Sequence, residues 1–236
     1  FGALAPLQPV RWTEEGLVCA PRAAPDLAAA ALARVPLPVR PLEEVPGWPD
    51  PPSDWVAGWY RRSPDHAPGP PGVRELVQTR GPAVGAGGHE TTALCLGALG
   101  LLPPGPAVDA GCGSGLLSLA WAALGRGPVV AWDLDPDAVR QTREAAALAG
   151  LDRAVEARHG PIERVDAGGR VLLANLPAPA HRALLESIAR PPRAALLAGT
   201  RRGSGREIVD GYRGLGMRVR AGGRRGAWER WVLVGR

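Results

Sequence analysis

Lysine is missing from this chain: all 28 of its basic residues are arginine. That excludes a phosphate-loop lysine, a Schiff-base lysine and the strand lysine of protein kinases. Asparagine is nearly missing as well, and the one retained, Asn175, draws notice for that reason. The three cysteines, Cys19, Cys95 and Cys112, form neither a CxxC pair nor a Cys/His metal spacing, so no metal is expected. Scattered thiols in odd number point to a reducing, cytoplasmic setting and not to a disulfide framework. No apolar run approaches the roughly 18 residues of a membrane span, and no charged-then-apolar leader is visible. The chain opens on Phe1, not Met, so a start upstream of it is the expectation.

What is present suits a folded chain. Its 236 residues are 45% hydrophobic and 22% charged, enough for one or two domains with a sizeable core. Sixteen of the 26 prolines precede residue 83 and none follows Pro192. Regular structure is therefore expected mainly in the last two thirds. The net charge of +5 is unevenly spread. Residues 1–200 hold 18 arginines against 20 carboxylates, whereas residues 201–236 hold 10 against Glu207, Asp210 and Glu229. Such a basic end faces RNA, an acidic partner or only water. No aromatic ladder accompanies it, so a solvated surface is expected and direct nucleic-acid binding is not.

The chain reads in three stretches. Residues 1–50 are rich in Pro and Ala, with a hairpin fragment over Arg11–Cys19 and a short Asp-capped helix over Asp26–Arg34. Residues 51–82 read as a linker with a helical piece around Asp54–Arg62, where Trp55 and Trp59 share one helical face. From residue 83 strands and helices alternate. Strands are expected at Ala107–Ala110, Val129–Leu134, Val155–His159, Val171–Leu176 and Ala194–Ala198, with a closing pair at Met217–Ala221 and Trp228–Val234. Helices are expected at Ala93–Leu101, Ser114–Leu124, Pro136–Ala149, Ala180–Ala189 and Glu207–Leu215. This alternation predicts an α/β domain, a parallel sheet covered on both faces.

Four motifs fall at strand ends or loops. The first strand turns into its helix through Asp109-Ala110-Gly111-Cys112-Gly113-Ser114-Gly115. Its Gly-x-Gly-x-Gly spacing is tighter than the Gly-x-Gly-x-x-Gly of dinucleotide enzymes, which disfavours a nicotinamide-dependent oxidoreductase. A tight turn with an acid before it suits a ligand without phosphates, and S-adenosyl-L-methionine (AdoMet) is one. Asp109 is then expected near the ammonium end of AdoMet, directly or through water. The second strand closes on Asp133-Leu134-Asp135-Pro136, placing an acid where adenosine ribose hydroxyls are accepted. Asp133 is assigned to ribose, and Asp135 to capping the helix that starts at Pro136. Asn175, in Ala174-Asn175-Leu176-Pro177, ends the fourth strand in the same crevice, where its amide carbonyl can orient an amine. A glycine-rich loop, Val84 to Gly88, opens the helix after His89-Glu90-Thr91-Thr92, with Glu90 or Thr91 as its cap.

Taken in order, these motifs resemble a class I AdoMet-dependent methyltransferase. More narrowly, they resemble the PrmA family, the methyltransferases of large-subunit ribosomal protein eleven. That family carries F-G-T-G-x-H-x-T-T, D-x-G-x-G-S-G, D-I-D-P and V-A-N-I/L in this order. Val84 and Ala86 stand where the family loop has Phe and Thr. The late family segments are echoed by Ala198-Gly199-Thr200 and Trp231-Val232-Leu233. The resemblance covers about residues 53–236. It implies a Rossmann-like fold with a mostly parallel, seven-stranded sheet over residues 83–236. Residues 1–50 are then a reduced or truncated substrate-recognition region, and residues 51–82 a linker. It implies AdoMet held by Thr91, Asp109, Gly111, Gly113, Gly115, Asp133, Leu134 and Asn175, with Asn175 orienting the amine. The partner it implies is a protein substrate, the ribosomal protein. His89 or Glu90 is a candidate proton acceptor. A class I methyltransferase of a small molecule or nucleic acid, and a non-catalytic relative, are the alternatives.

Overall fold

The computed structural model describes residues 7–13, 16–21, 39–41, 53–69, 72–79 and 89–235, the first 55 residues of the chain by backbone alone. Two compact units divide the chain, Phe1–Val77 and Gln78–Arg236.

In the first unit β1 (Leu7–Thr13) and β2 (Gly16–Pro21) form the expected hairpin, and β3 (Val39–Pro41) joins β2 in parallel. The helix expected over Asp26–Arg34 lies outside the described residues. The helical piece expected around Asp54–Arg62 is instead a second hairpin. β4 (Ser53–Val56) runs antiparallel to β5 (Trp59–Arg62), and β6 (Arg74–Val77) runs parallel to β5. The cause is the dipeptide between the strands. Ala57 and Gly58 both take left-handed backbone, φ 50° and 84°, which is the two-residue turn that suits strand twist. That turn pairs Trp55 with Tyr60 and Trp59 with Val56, so the four-residue tryptophan spacing belongs to a hairpin. A sheet thus fills most of the stretch expected to be a linker.

The second unit starts with α1 (Glu90–Leu96) and a single 3-10 turn at Leu99–Leu101, where one longer helix was expected; the break falls at Gly97. There follow β7 (Ala107–Ala110), α2 (Leu116–Ala123), β8 (Val129–Asp133), α3 (Pro136–Leu148) and β9 (Val155–His159). Then come β10 (Val171–Asn175), α4 (Ala178–Ser187), β11 (Ala194–Arg201), α5 (Arg206–Gly214), β12 (Arg218–Arg225) and β13 (Trp228–Val234). These strands form one 7-stranded sheet in the order β12-β13-β11-β10-β7-β8-β9. The five strands from β11 to β9 are parallel, and β13 is antiparallel to both neighbours.

Burial explains the central strands. Every residue of β7 is buried, as are the first four of β10, which suits strands covered on both faces. On one face Val108, Ala110, Leu172, Ala174, Ala195, Leu197 and Leu233 pack with Leu184 of α4 and Ile208, Val209 and Tyr212 of α5. On the other, Ala131 and Ala157 pack with Val139 of α3. Each fully buried leucine contributes about 1.5–3 kcal/mol. The order of strands reverses direction between β7 and β10, and in such sheets the ligand crevice lies at the carboxyl ends of those strands.

Candidate functional site

The turn after β7 is shaped by three glycines. Gly111, Gly113 and Gly115 all have positive φ, 69°, 54° and 80°. At two of them space is closed as well. A Cβ on Gly111 would lie 2.4 Å from Leu176 Cδ2, and one on Gly115 would lie 2.7 Å from Thr142 Oγ1. The glycines therefore let the turn press against α3 on one side and the exit of β10 on the other.

Asp133 ends β8 and ties this turn down. Its Oδ2 accepts the Gly113 N–H at 2.8 Å, and its Oδ1 accepts the Asp135 N–H at 2.9 Å. A carboxylate offers about four lone-pair sites, so each oxygen keeps one acceptor position. Asp135 caps α3, its Oδ1 accepting the Asp137 N–H at 2.9 Å. Leu134, between the two acids, is 70% exposed, an apolar side chain left at the mouth of the crevice.

Asp109 faces the other way. It is 1% exposed on the sheet face covered by α2, and its Oδ2 accepts the Ser118 hydroxyl at 2.7 Å. Burial pushes its carboxyl up to about 7, against the opposing Ser118 hydrogen bond, and Asp133 adds to the rise. Direct contact with an ammonium group is not what this placement offers. The carboxyl braces the turn from behind.

Asn175 ends β10 half-buried, in register with Ala198 of β11. The next residue is pinned from several sides. The Leu176 N–H donates to Ala198 O at 2.9 Å, and Leu176 Cδ2 fills the space beside Gly111. Gly199, φ 93°, lies so close that a Cβ there would meet Leu176 O at 2.3 Å. Ala198 O takes a further hydrogen bond from His181 Nε2 at 2.8 Å. His181 is 1% exposed, and burial holds its imidazole below its usual value, hence neutral with Nε2 as donor.

The N-terminus of α1 corrects one expectation. Its cap is His89, whose Nδ1 accepts the Thr91 N–H at 3.3 Å and lies 2.8 Å from Thr91 Oγ1. Neither Glu90 nor Thr91 is the cap. Thr91 is buried beneath His89, 4% exposed. The His89 ring stands edge-on to Trp228 at the start of β13, centroids 4.7 Å apart. Val84 and Ala86 lie outside the described residues.

The structure thus gathers Gly111, Gly113, Gly115, Asp133, Leu134 and Asn175 at the carboxyl ends of three adjacent strands, β10, β7 and β8. Residues 77–228 match the family model described as ribosomal protein L11 methyltransferase (PrmA). The chain belongs to that family. A PrmA-family protein named ribosomal protein L11 methyltransferase, from Parasynechococcus marenigrum, is 36% identical over 189 residues, 73% of this chain and 62% of that protein. Another of the same name, from Citrifermentans bemidjiense, is 43% identical over 104 residues, 41% of this chain and 34% of that protein. The chain thus spans between a third and just under two thirds of the length of these PrmA relatives. The crystal structure of a ribosomal protein L11 methylase from Lactobacillus delbrueckii subsp. bulgaricus superposes with a TM-score of 0.66 at 21% identity, covering 75% of this chain and 95% of that one. It shares the fold, including the Rossmann-like sheet expected from the sequence.

Sequence reasoning missed His181, Gly199, Ser118 and Thr142 as parts of the PrmA site's frame. Each acts on a partner 9 to 29 residues away in sequence. Only Gly199 left a signal, as one of the residues echoing a late family segment. Among the described residues, no helix is long and apolar enough to cross a membrane.

Proposed function

We propose that this chain is an AdoMet-dependent methyltransferase acting on amines of a protein, large-subunit ribosomal protein eleven, in the cytoplasm. The observation that carries the reading is the Asp133 carboxylate. It is fixed by two backbone N–H groups, one of them from the glycine turn, and keeps one acceptor position on each oxygen. Two vicinal ribose hydroxyls fit those positions. Leu134 then covers one face of the adenine, and the turn at Gly111, Gly113 and Gly115 lets the backbone approach the amino-acid end. Thr91 and Asp109 support that end from behind, since both are buried.

Bound AdoMet supplies a methyl group on a sulfonium. This chain's part is positioning and exclusion of water. Asn175 accepts a hydrogen bond from the neutral acceptor amine and aims its lone pair at the methyl carbon. The half-buried setting favours the neutral amine over the ammonium. After transfer the new ammonium releases its proton to water. The His89 Nδ1 lone pair is already engaged by the Thr91 N–H. Recognition of the protein substrate belongs to the N-terminal stretch, residues 1–50, in this reading.

Calorimetric titration with AdoMet tests the site. The Asp133→Ala variant is expected to bind at least about 100-fold more weakly, since two charge-assisted hydrogen bonds of about 1.5–3 kcal/mol each are lost. Transfer of labelled methyl to the purified ribosomal protein then tests the acceptor. Asn175→Ala is expected to retain AdoMet affinity and lose turnover. Absence of saturable AdoMet binding by the folded protein would overturn the reading. So would unchanged turnover in Asn175→Ala.

A further inference from the structure

β11 and β12 are each antiparallel to β13, so they run in the same direction and emerge at the same end of the sheet. Arg201 closes β11 there, and Arg224 and Arg225 close β12. Arg202 follows, its N–H donating to Ala227 O of the β12–β13 turn at 2.8 Å. Arg206 opens α5 at the same end. Asn175 closes β10, the strand next to β11. Five arginines therefore crowd the rim of the crevice, on the side where β10 and β11 end.

All five are exposed, and among the described residues none of them has a carboxylate partner. Other arginines of this domain do: Arg140, Arg158, Arg182 and Arg213 each pair with an acid. Of the carboxylates near the rim, Glu90 lies against Gly226 of the β12–β13 turn, where a Cβ would meet its Oε1 at 2.6 Å, and the other two are committed elsewhere. Glu207 pairs with Arg182, and the buried Glu229 accepts the Gly205 N–H at 3.0 Å. Two tryptophans adjoin the rim: Trp228, whose ring centroid lies 5.7 Å from the Arg201 guanidinium carbon, and Trp231, which borders the same hollow as Arg224.

Five arginines against the single nearby Glu90 carboxylate leave an excess of positive charge at the crevice mouth, which calls for an anion from outside. Its chemistry favours phosphates over an acidic protein face. A protein interface needs an apolar core within its polar rim. Among the described large apolar side chains only Leu134, Leu148 and Val219 are exposed, and none of them belongs to this rim. Guanidinium groups grip phosphate oxygens in pairs and need no such core. Two half-buried tryptophans, one of them already under the Arg201 guanidinium, provide no series of stacking platforms, so the contact is with the backbone and not with bases.

We infer that the rim formed by Arg201, Arg202, Arg206, Arg224 and Arg225 docks the phosphate backbone of RNA beside the crevice. The sequence led to the opposite expectation, because it does not show that arginines from three elements converge. The inference stands apart from the proposed methyl transfer, because RNA binding is measured without AdoMet or acceptor. Failure of one therefore leaves the other to be judged by itself.

The test is fluorescence anisotropy of a labelled RNA hairpin with the full chain over a salt series. About five phosphate contacts give a slope near −4.5 in log K against log salt, or about 500-fold weaker binding between about 50 and 200 mM. Replacing Arg201, Arg202, Arg224 and Arg225 together by Gln leaves about one contact, and the same salt change should then cost only about threefold. Replacing the paired Arg140 and Arg158 by Gln removes charge away from the rim and should leave RNA binding unchanged. Guanidinium unfolding checks that each variant remains folded. The inference is overturned if the hairpin does not bind, or if the fourfold rim variant binds like the parent. Equal weakening by the Arg140/Arg158 variant would also overturn it, as would polyglutamate competing as well as RNA at equal charge.

Discussion

Alanine at Gly199 should cost far more than alanine at Gly203, although both glycines have nearly the same backbone. Their φ angles are 93° and 88°. At Gly203 a Cβ would meet nothing within 4 Å. The cost there is the left-handed conformation alone, about 1–2 kcal/mol for an L-residue. At Gly199 the Cβ would lie 2.3 Å from Leu176 O, 2.6 Å from its N and 2.7 Å from its C. These are backbone atoms and no rotamer change moves them. Relief requires parting β10 from β11 where the Leu176 N–H meets Ala198 O. A lost hydrogen bond with a buried group left unpaired adds about 1–3 kcal/mol. The expected total for Gly199→Ala is about 2–5 kcal/mol. Guanidinium unfolding of both variants reads this as a shift in midpoint at constant slope. The same displacement moves Asn175, so methyl transfer should fall in Gly199→Ala and not in Gly203→Ala. Equal destabilisation by the two alanines, to within about 1 kcal/mol, would refute the argument, since only space distinguishes them.

Three further outcomes follow from the same geometry. Leu134→Ser should leave stability unchanged, since the side chain is 70% exposed, and should weaken AdoMet binding about tenfold by removing an apolar contact of about 1.5 kcal/mol; equal affinity by calorimetry would remove Leu134 from the adenine site. Asp109 is pushed up to about 7 in the folded state, so its contribution is present below its ordinary 3.8 and is lost as pH rises through about 7. Asp109→Asn should remove that dependence and be the more stable form at pH 8, and denaturation curves that keep the parental pH trend would contradict it. His181 has its imidazole lowered by burial, so its contribution is lost as pH falls below about 6.5, where the unfolded chain takes up the proton first. His181→Phe should flatten stability over that acid range, and an unchanged slope would show that the ring is not the titrating group.

The parallel part of the sheet was legible because its central strands, β7, β10 and β11, are buried on both faces. Val171–Leu176 is apolar but for Asn175, and Val129–Leu134 is apolar up to Asp133. Each run stops at a polar residue that the fold places at the crevice. Edge structure was less legible. β12 was expected over Met217–Ala221 but runs over Arg218–Arg225, because its Gly-Gly-Arg-Arg end carries no alternation and is held by pairing with β13. The hairpin at Ala57-Gly58 was hidden by a tryptophan spacing that suits a helix equally well. The His89 cap was hidden because imidazole is an uncommon cap and the adjacent Glu90 and Thr91 are common ones.

What the sequence shows at Asn175 is an amide at a strand end; what it does not show is why that amide holds still. The peptide that follows is fixed by residues from separate parts of the chain. Gly111 receives the Leu176 side chain, Gly199 packs on the Leu176 peptide, and Ala198 O binds both the Leu176 N–H and His181. A substitution at any of these leaves the strand pattern intact and loosens the placement of the amide. Catalysis by positioning is sensitive to about 1 Å. Variants at Gly199 and His181, which lie outside the AdoMet turn, should therefore separate the two halves of the activity. AdoMet affinity depends on the Asp133 side of the crevice and should persist, while turnover, which depends on the Asn175 side, should fall.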